Sequence, residues 1–505
     1  LGSLILDMYA NRLGAMDDAL CWFFSVLLPS HAVDAYTWHH LLAGYVHHGM
    51  PHLALDTFQQ MQHQGMLLNR FIAATVISAC ASTVPRGVHQ DLVVHGERLH
   101  ASLVASSSHL QDMAVGNAIV TMYGRCNRLD RAQRTFDMMR ERNTLTWTAI
   151  IAVHAQNGQP RRALHLFQQM HKEGLMPNDA TFASILCACA ALALGKYLHS
   201  RISIMGLEDN VTVANSLIGM YGKCGSMADA CASFDRVESR RSTSWNALMS
   251  AFLENMQFSH VIHLFQQMLQ EAMLPDRVTY INAFSACAHR ATMCEVRRLH
   301  SHVTLIIDQL DIAMQNALLN AYAKCSMSLE QTCVVFLDIS QPDQVSWTAL
   351  ISSAAQHGKM HLALCLFDVM HKRGVMANEV TLLSVLYGCS HVGMMDECIQ
   401  CFLFMKSMAV LPLVDHYNCI LDLLAKVGHL NDAKRFASSM PCQPSLASWM
   451  TLLAACKNQF DCDCKLGEGA ASHVLELQAQ NFASLVLLSQ IYDAAARYEM
   501  VQEMM

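Results

Sequence analysis

An all-α superhelical solenoid of stacked helix-turn-helix repeats is the fold this sequence predicts, and three observations predict it. A stretch of about 35 residues is written out four times, at 35–69, 144–178, 242–276 and 344–378. The copies recur about every 100 residues, and two other kinds of unit fill each gap in strict rotation, so the chain is a repeat array. Within each copy the apolar residues carry a helical period broken once by a turn, which describes a hairpin that can bury its apolar stripe only against neighbours like itself.

The copy at 144–178, TLTWTAIIAVHAQNGQPRRALHLFQQMHKEGLMPN, shows the pattern best. Trp147, Ile150, Ile151 and His154 follow i, i+3, i+4, i+7, and Ala163, Leu164, Phe167 and Met170 form a second apolar face. Asn157-Gly158 breaks the chain between them, and Pro160 suits the first turn of the second helix. Every copy has Trp at its fourth place (Trp38, Trp147, Trp245, Trp347) and a late Met (Met61, Met170, Met268, Met370) expected to fill core.

Taken in order, residues 1–34 form a partial, damaged copy of a shorter unit that is clean at 113–143, 211–241 and 312–343. The third kind of unit, at 70–112, 179–210, 277–311 and 379–413, has a cysteine ending its first helix (Cys80, Cys189, Cys287, Cys389) and, in three of its copies, Leu-His in its second. About seven extra residues fall around 85–94 and about three are missing after Cys189, both placed near inter-helix turns. A last short unit occupies 414–445, and two helical segments, 446–481 and 482–505, complete the sequence.

Composition bounds the function. With 53% hydrophobic and 15% charged residues in 505, most helices are expected to have neighbours on both sides. The most apolar stretches, 183–194 and 20–28, fall short of the roughly 18–20 residues a spanning helix needs, so no membrane contact is expected. A net charge of -7 argues against an indiscriminate nucleic-acid binder, but not against a reader of single-stranded bases. The twenty cysteines recur within helices as small apolar residues and are read as reduced.

Units of about 35, 35 and 31 residues in rotation, all helix hairpins, resemble the pentatricopeptide repeat family, and specifically its plant subclass with alternating P, L and S motifs. Residues 446–505, with SWMTLLAAC and SLVLLSQIYDAAARYE, resemble the E-type extension of that subclass. The resemblance implies a right-handed superhelical solenoid of twelve repeats over 35–445 that binds single-stranded RNA in a mitochondrion or chloroplast. It further implies a specificity factor for C-to-U RNA editing, with a DYW-type deaminase or other editing-complex protein held in trans by the extension, and no cofactor. Splicing, stability or translation of organelle transcripts is the same-class alternative, and a tetratricopeptide-like scaffold the different-class one. The latter would keep Gly at the eighth place, where this chain has Leu42, Ile151, Met249 and Ile351. The sequence opens inside a repeat without a targeting segment, and family members often continue past the equivalent of Met505 into a catalytic domain.

The resemblance assigns base reading to the fifth and last residues of each motif. Here those pairs are Asn117/Asn143, Thr148/Asn178, Asn215/Arg241, Asn246/Asp276, Asn316/Asp343, Thr348/Asn378 and Asn418/Ser445. An Asp that only accepts suits uracil and guanine, and an Asn that can donate suits cytosine and adenine. With units running parallel to the RNA, 113–445 is expected to read C-A-n-Y-U-n-U-A-n-C, where n marks an L unit and Y a pyrimidine. The bland alternative makes the fifth-place Asn an ordinary helix cap and the last residue a turn residue.

No catalytic constellation is expected. His95-Gly96-Glu97 has the form His-x-Glu, but no Pro-Cys-x-x-Cys follows it to hold a deaminase zinc. Asp461-Cys462-Asp463-Cys464 is read as a surface loop, and His100, His199 and His300 as packing or locally hydrogen-bonded residues.

Overall fold

The computed structural model describes residues 34–491 apart from 67, 82–88, 106–111, 291, 308–309, 326–328, 409, 459–463, 479–482 and 484–485. Helices and short turns account for these residues, with no strand among them. The damaged copy expected at the start, the Asp461-Cys462-Asp463 stretch and most of 482–505 lie outside the described residues. The chain divides into two compact units, Leu1–Met256 and Gln257–Met505, each a stack of helix hairpins.

The hairpin Thr144–Gln156 and Pro160–Lys172 shows why these residues fold so. Asn143 caps the first helix, Gly158 turns the chain with a left-handed φ of 71°, and Pro160 opens the second helix where a missing N–H costs nothing. The buried stripes are Trp147, Ile150, Ile151 and His154 on the first helix and Ala163, Leu166, Phe167 and Met170 on the second. Leu166 takes the buried place that the sequence pattern gives to Leu164, which is half-buried. Met61, Met170, Met268 and Met370 are each fully buried. Trp147, Trp245 and Trp347 receive Phe136, Phe234 and Phe336 of the preceding hairpin edge-to-face, with centroids 4.8, 4.9 and 4.8 Å apart.

First helices pack on the first helices of the hairpins before and after them, as in Met113–Arg125 against Thr144–Gln156 and Gln344–Gln356 against Glu379–Val392. This lines up successive first helices in an inner row within each unit. Two glycines set the closeness of that row. A Cβ on Gly124 would lie 2.3 Å from Val153 Cγ2, and one on Gly222 would lie 2.5 Å from Ala251 Cβ. Across the same contacts Asn157 and Asn255 donate from Nδ2 to the Gly124 and Gly222 carbonyls at 3.0 and 2.8 Å.

Three local details differ from the pattern reading. The inserted stretch is helical from His89, which lengthens that second helix to His89–Ala105. The residues missing after Cys189 leave a first helix of only nine residues, Asp179–Cys187. The turn after Phe258–Gln270 uses Ala272 at φ 54°, where sister hairpins have Gly174 and Gly374 at φ 78° and 75°. The cysteines Cys80, Cys287 and Cys389 are buried and free, and burial pushes their thiols up to about 12, 12 and 11, which makes them inert small apolar residues.

Candidate functional site

The last residue of each repeat is the N-cap of the next first helix. Asn143, Asn178, Asp343 and Asn378 accept the backbone N–H of Thr146, Thr181, Ser346 and Thr381, three residues on, at 3.0, 2.9, 2.9 and 2.8 Å. Asp276 accepts from Thr279 N–H at 3.0 Å, and Ser445 from Ser448 N–H at 3.3 Å. The fifth place, in contrast, lies inside the helix: Thr148 and Thr348 donate from Oγ1 to the Thr144 and Gln344 carbonyls, four residues back, at 2.8 and 2.7 Å. Capping therefore belongs to the last place, and the bland reading that makes the fifth place a cap is corrected.

A hydroxyl at the third place of the following repeat joins the two positions. Thr148 Oγ1 lies 2.7 Å from Thr181 Oγ1, which donates to Asn178 Oδ1 at 2.7 Å. Thr348, Thr381 and Asn378 repeat this at 2.6 and 2.8 Å. Where the fifth residue is Asn the link is direct as well: Asn316 Nδ2 donates to Asp343 Oδ1 at 3.0 Å while Asn316 Oδ1 accepts from Ser346 Oγ at 2.6 Å. Asn418 does the same with Ser445 Oγ, at 3.5 Å, and Ser448 Oγ, at 2.6 Å. Burial works against ionisation of Asp343, but the hydrogen bonds from Ser346 and Asn316 outweigh it and hold the carboxyl below its usual range.

These latches bring together Thr148/Asn178, Asn316/Asp343, Thr348/Asn378 and Asn418/Ser445. Asn117 and Asn143 are not joined by a hydrogen bond among the described residues, and Asn117 Oδ1 is buried without a partner. Asn215 is likewise not joined to Arg241; its Nδ2 donates instead to Thr243 Oγ1 at 3.2 Å. Asn246 is buried on Ser242–Glu254 in one compact unit, and Asp276 belongs to the other.

Sequence reading missed the second place. Tyr36, Phe71, Leu145, Val278, Val345 and Val380 all hold it, and all are between 43% and 61% exposed although apolar. Each sits three residues before the fifth place, on the same helix face. The available signal was an apolar residue just off the buried stripe of these six first helices. In the second compact unit one groove of about 880 Å³ collects these groups: Val345, Thr348, Asn378, Val380 and Asn418 line it, with Lys324 at its wall. A groove of about 510 Å³ in the first unit is lined by Asn215, Lys223, Arg241 and Thr243. Paired polar atoms beside an exposed apolar side chain can meet the edge and the face of a planar heterocycle.

Residues 142–191 and 342–391 match the profile of the PPR repeat family, and single PPR repeats match at 36–66, 117–144, 212–242, 243–272 and 380–410. A mitochondrial pentatricopeptide repeat-containing protein of Arabidopsis thaliana is 30% identical over 451 residues, covering 89% of this chain and 70% of the relative. The chain belongs to the pentatricopeptide repeat family. A putative pentatricopeptide repeat-containing protein of the same plant is 30% identical over 503 residues, 99% of this chain and 69% of its own length. A chloroplastic one is 32% identical over 472 residues, 93% of this chain, and the chain spans 57% of that relative. The crystal structure of the pentatricopeptide repeat protein PPR10 from maize has the same fold, with TM-score 0.55 and 19% identity over 99% of this chain and 84% of that one. PPR10 in complex with an 18-nt psaJ RNA element gives TM-score 0.61 at 18% identity, over 99% and 74% of the two chains.

Family membership sets aside the tetratricopeptide alternative. In this pentatricopeptide array the Leu-His histidines tie each of three repeats to the shorter repeat that follows it: His100, His199 and His300 hydrogen-bond through Nδ1 to the hydroxyls of Tyr123, Tyr221 and Tyr322 at 2.8, 2.7 and 3.0 Å. Glu97 of the His-x-Glu forms an ion pair with Arg131 at 2.6 Å, and Gly96 packs against Met122, so the motif is committed to helix packing. No group of three or more His, Cys, Asp or Glu side chains placed to hold a metal occurs among the described residues. No helix there is long and apolar enough to cross a membrane.

Proposed function

We propose that this chain reads single-stranded organelle RNA, one repeat per nucleotide, as a specificity factor for C-to-U editing whose deaminase is supplied in trans. The observation that carries the reading is the latch that joins fifth and last residues at Thr148/Asn178, Asn316/Asp343, Thr348/Asn378 and Asn418/Ser445, flanked at Thr148 and Thr348 by the exposed apolar Leu145 and Val345, with Thr348/Asn378 opening into one groove. The latch fixes which atoms are offered. Asp343 has no donor, so a base with a ring N–H suits it; Asn178 and Asn378 keep their Nδ2 hydrogens after Oδ1 is used for capping, and so can donate to a ring nitrogen. Apolar second residues supply a face for stacking, which needs no phosphate contact and agrees with a net charge of -7.

The maize protein crystallised with an RNA element supports RNA as the ligand, and relatives named as chloroplastic or mitochondrial support an organelle. The extension supports recruitment. Leu446–Asn458 and Cys464–Leu477 continue the stack, with Leu452, Leu453, Cys456 and Ala471 sharing a core with Leu421 and Ala433 of the last repeat. This hairpin has Met450 at the fifth place and offers no base-reading pair, which suits it to a protein partner. The reading is tested by competition binding of the purified chain to an RNA carrying C-A-n-Y-U-n-U-A-n-C and to the same nucleotides in scrambled order. Preference for the ordered RNA is expected; equal affinity refutes the reading.

A further inference from the structure

Arg241 is the one basic residue at the last place of any repeat, and it alters its surroundings. Asn and Asp at that place accept a hydrogen bond from the following helix, whereas Arg241 makes no capping hydrogen bond and leaves a cation at the positive end of Ser242–Glu254. In the repeats ending at Asp343 and Ser445 the third-place serine donates to the fifth-place asparagine. Here the corresponding atoms, Ser244 Oγ and Asn215 Oδ1, are both buried and both without a partner, because the guanidinium offers no acceptor to orient the Asn215 amide. Asn117 Oδ1 is also unpaired, but there Asn143 still caps its helix and takes the Thr146 hydroxyl at 3.1 Å. Only 211–241 combines an open latch with a cation, and Arg241, which is exposed, lines the same groove as Asn215.

We infer that the repeat at 211–241 selects guanine, and that Arg241 is the specificity-determining residue; this rests on the RNA reading above. A guanidinium fork donates in pairs, and guanine presents two adjacent acceptors, O6 and N7, that such a fork takes bidentately. Uracil offers one carbonyl oxygen on that side. Adenine and cytosine turn an amino group toward the fork, so donors face donors. The unlocked Asn215 amide completes the match, since a turn about χ2 presents Oδ1 to the guanine N1–H. This replaces the pyrimidine expected from Asn215 alone.

The test uses four RNAs that differ only at the nucleotide facing 211–241, competed against wild type, Arg241→Ala and Arg241→Asp. Wild type should prefer guanine over adenine and cytosine by about tenfold, within the range of one good base contact. Arg241→Ala should lose that preference while its affinity for the other three RNAs holds. Arg241→Asp should restore the latch seen at Asn316 and Asp343 and move preference to uracil. Wild type preferring any base other than guanine overturns the inference, as does an equal loss for all four RNAs in Arg241→Ala, which marks a phosphate contact. A parallel series at the letter facing Asn316 and Asp343 separates the two levels of failure. Discrimination there but not here defeats this inference alone, and discrimination at neither letter defeats the RNA reading.

Discussion

Replacing Asp343 with Asn changes one oxygen to an amino group and keeps the side chain's shape. The helix cap survives, because Asn and Asp cap about equally well and Oδ1 can still accept from Ser346 N–H. The bond from Asn316 Nδ2 is weakened, since both carboxylate oxygens now share it, at 3.0 and 3.2 Å, and with Oδ1 kept for the cap the Oδ2 position becomes an amino group that faces it as a donor. Asn316 must then either face donor against donor or turn and give up the Ser346 hydroxyl. A hydrogen bond to a charged group is worth about 1.5–3 kcal/mol, and partial exposure of the site lowers that to an expected loss of about 1–2 kcal/mol in the hairpins on either side. Because arrays of this kind open locally, the measurement is hydrogen exchange of the amides in Ile312–Cys325 and Gln344–Gln356, which should quicken about five- to thirtyfold while distant helices do not change. The depressed carboxyl adds a pH signature. Its stabilisation is fully present above the unfolded value of about 3.9 and is lost as pH falls through the lower folded value, so the protection difference between wild type and variant should narrow in that acid window. In competition binding the same substitution should move preference at that letter from uracil to cytosine by about tenfold. Unchanged exchange refutes the latch, and unchanged base preference refutes the assignment of Asp343 to base reading.

Other outcomes follow from the same geometry. Gly222→Ala should destabilise its helix by about 1–3 kcal/mol through overlap with Ala251, whereas Gly219→Ala, with nothing within 4 Å of the added Cβ, should stabilise by up to about 1 kcal/mol; urea denaturation of the two variants should show opposite signs. Ala272→Gly should stabilise by about 0.5–1 kcal/mol by relieving a left-handed φ of 54°, and a lowered denaturation midpoint would contradict this. RNA affinity should fall only weakly with salt, and a slope equivalent to about six or more ion pairs would reveal a basic track along the groove. Incubated alone with zinc and a matched RNA, the purified chain should leave every cytidine unconverted on sequencing, and conversion without an added partner would defeat the division of labour proposed here.

The hairpins were legible because their signal is local: Trp147, Ile150, Ile151 and His154 announce a buried helix face within a dozen residues. The latch was not, because Thr181, Ser346, Thr381 and Ser448 read as indifferent helix residues until they are seen beside a position about 30 residues earlier. The same distance in sequence hides the consequence of Arg241, whose neighbours Asn215 and Ser244 look ordinary one at a time. The bland alternative puts the cap at the wrong end for a related reason. An Asn near a helix start suggests capping, but only backbone register shows that Asn316 and Asn418 lie a full turn inside while Asp343 and Ser445 stand at the start. Leu164 illustrates the opposite limit, where a period of 3.6 admits two neighbouring leucines and packing chooses Leu166.

Because the last residue of one repeat starts the helix of the next, the repeat written in sequence is not the unit that can be exchanged. An array assembled by joining repeats at their written ends would pair each fifth residue with a foreign third-place hydroxyl, and a Thr-compatible partner could meet an Asn. Cutting after the third residue of the following repeat, behind Thr181, Ser346, Thr381 or Ser448, keeps fifth, last and bridging groups on one cassette. On the proposed base reading the same junction rule narrows which letters natural recombination can write, since a last residue then has to suit a base and begin a helix, and few side chains besides Asn, Asp and Ser do both.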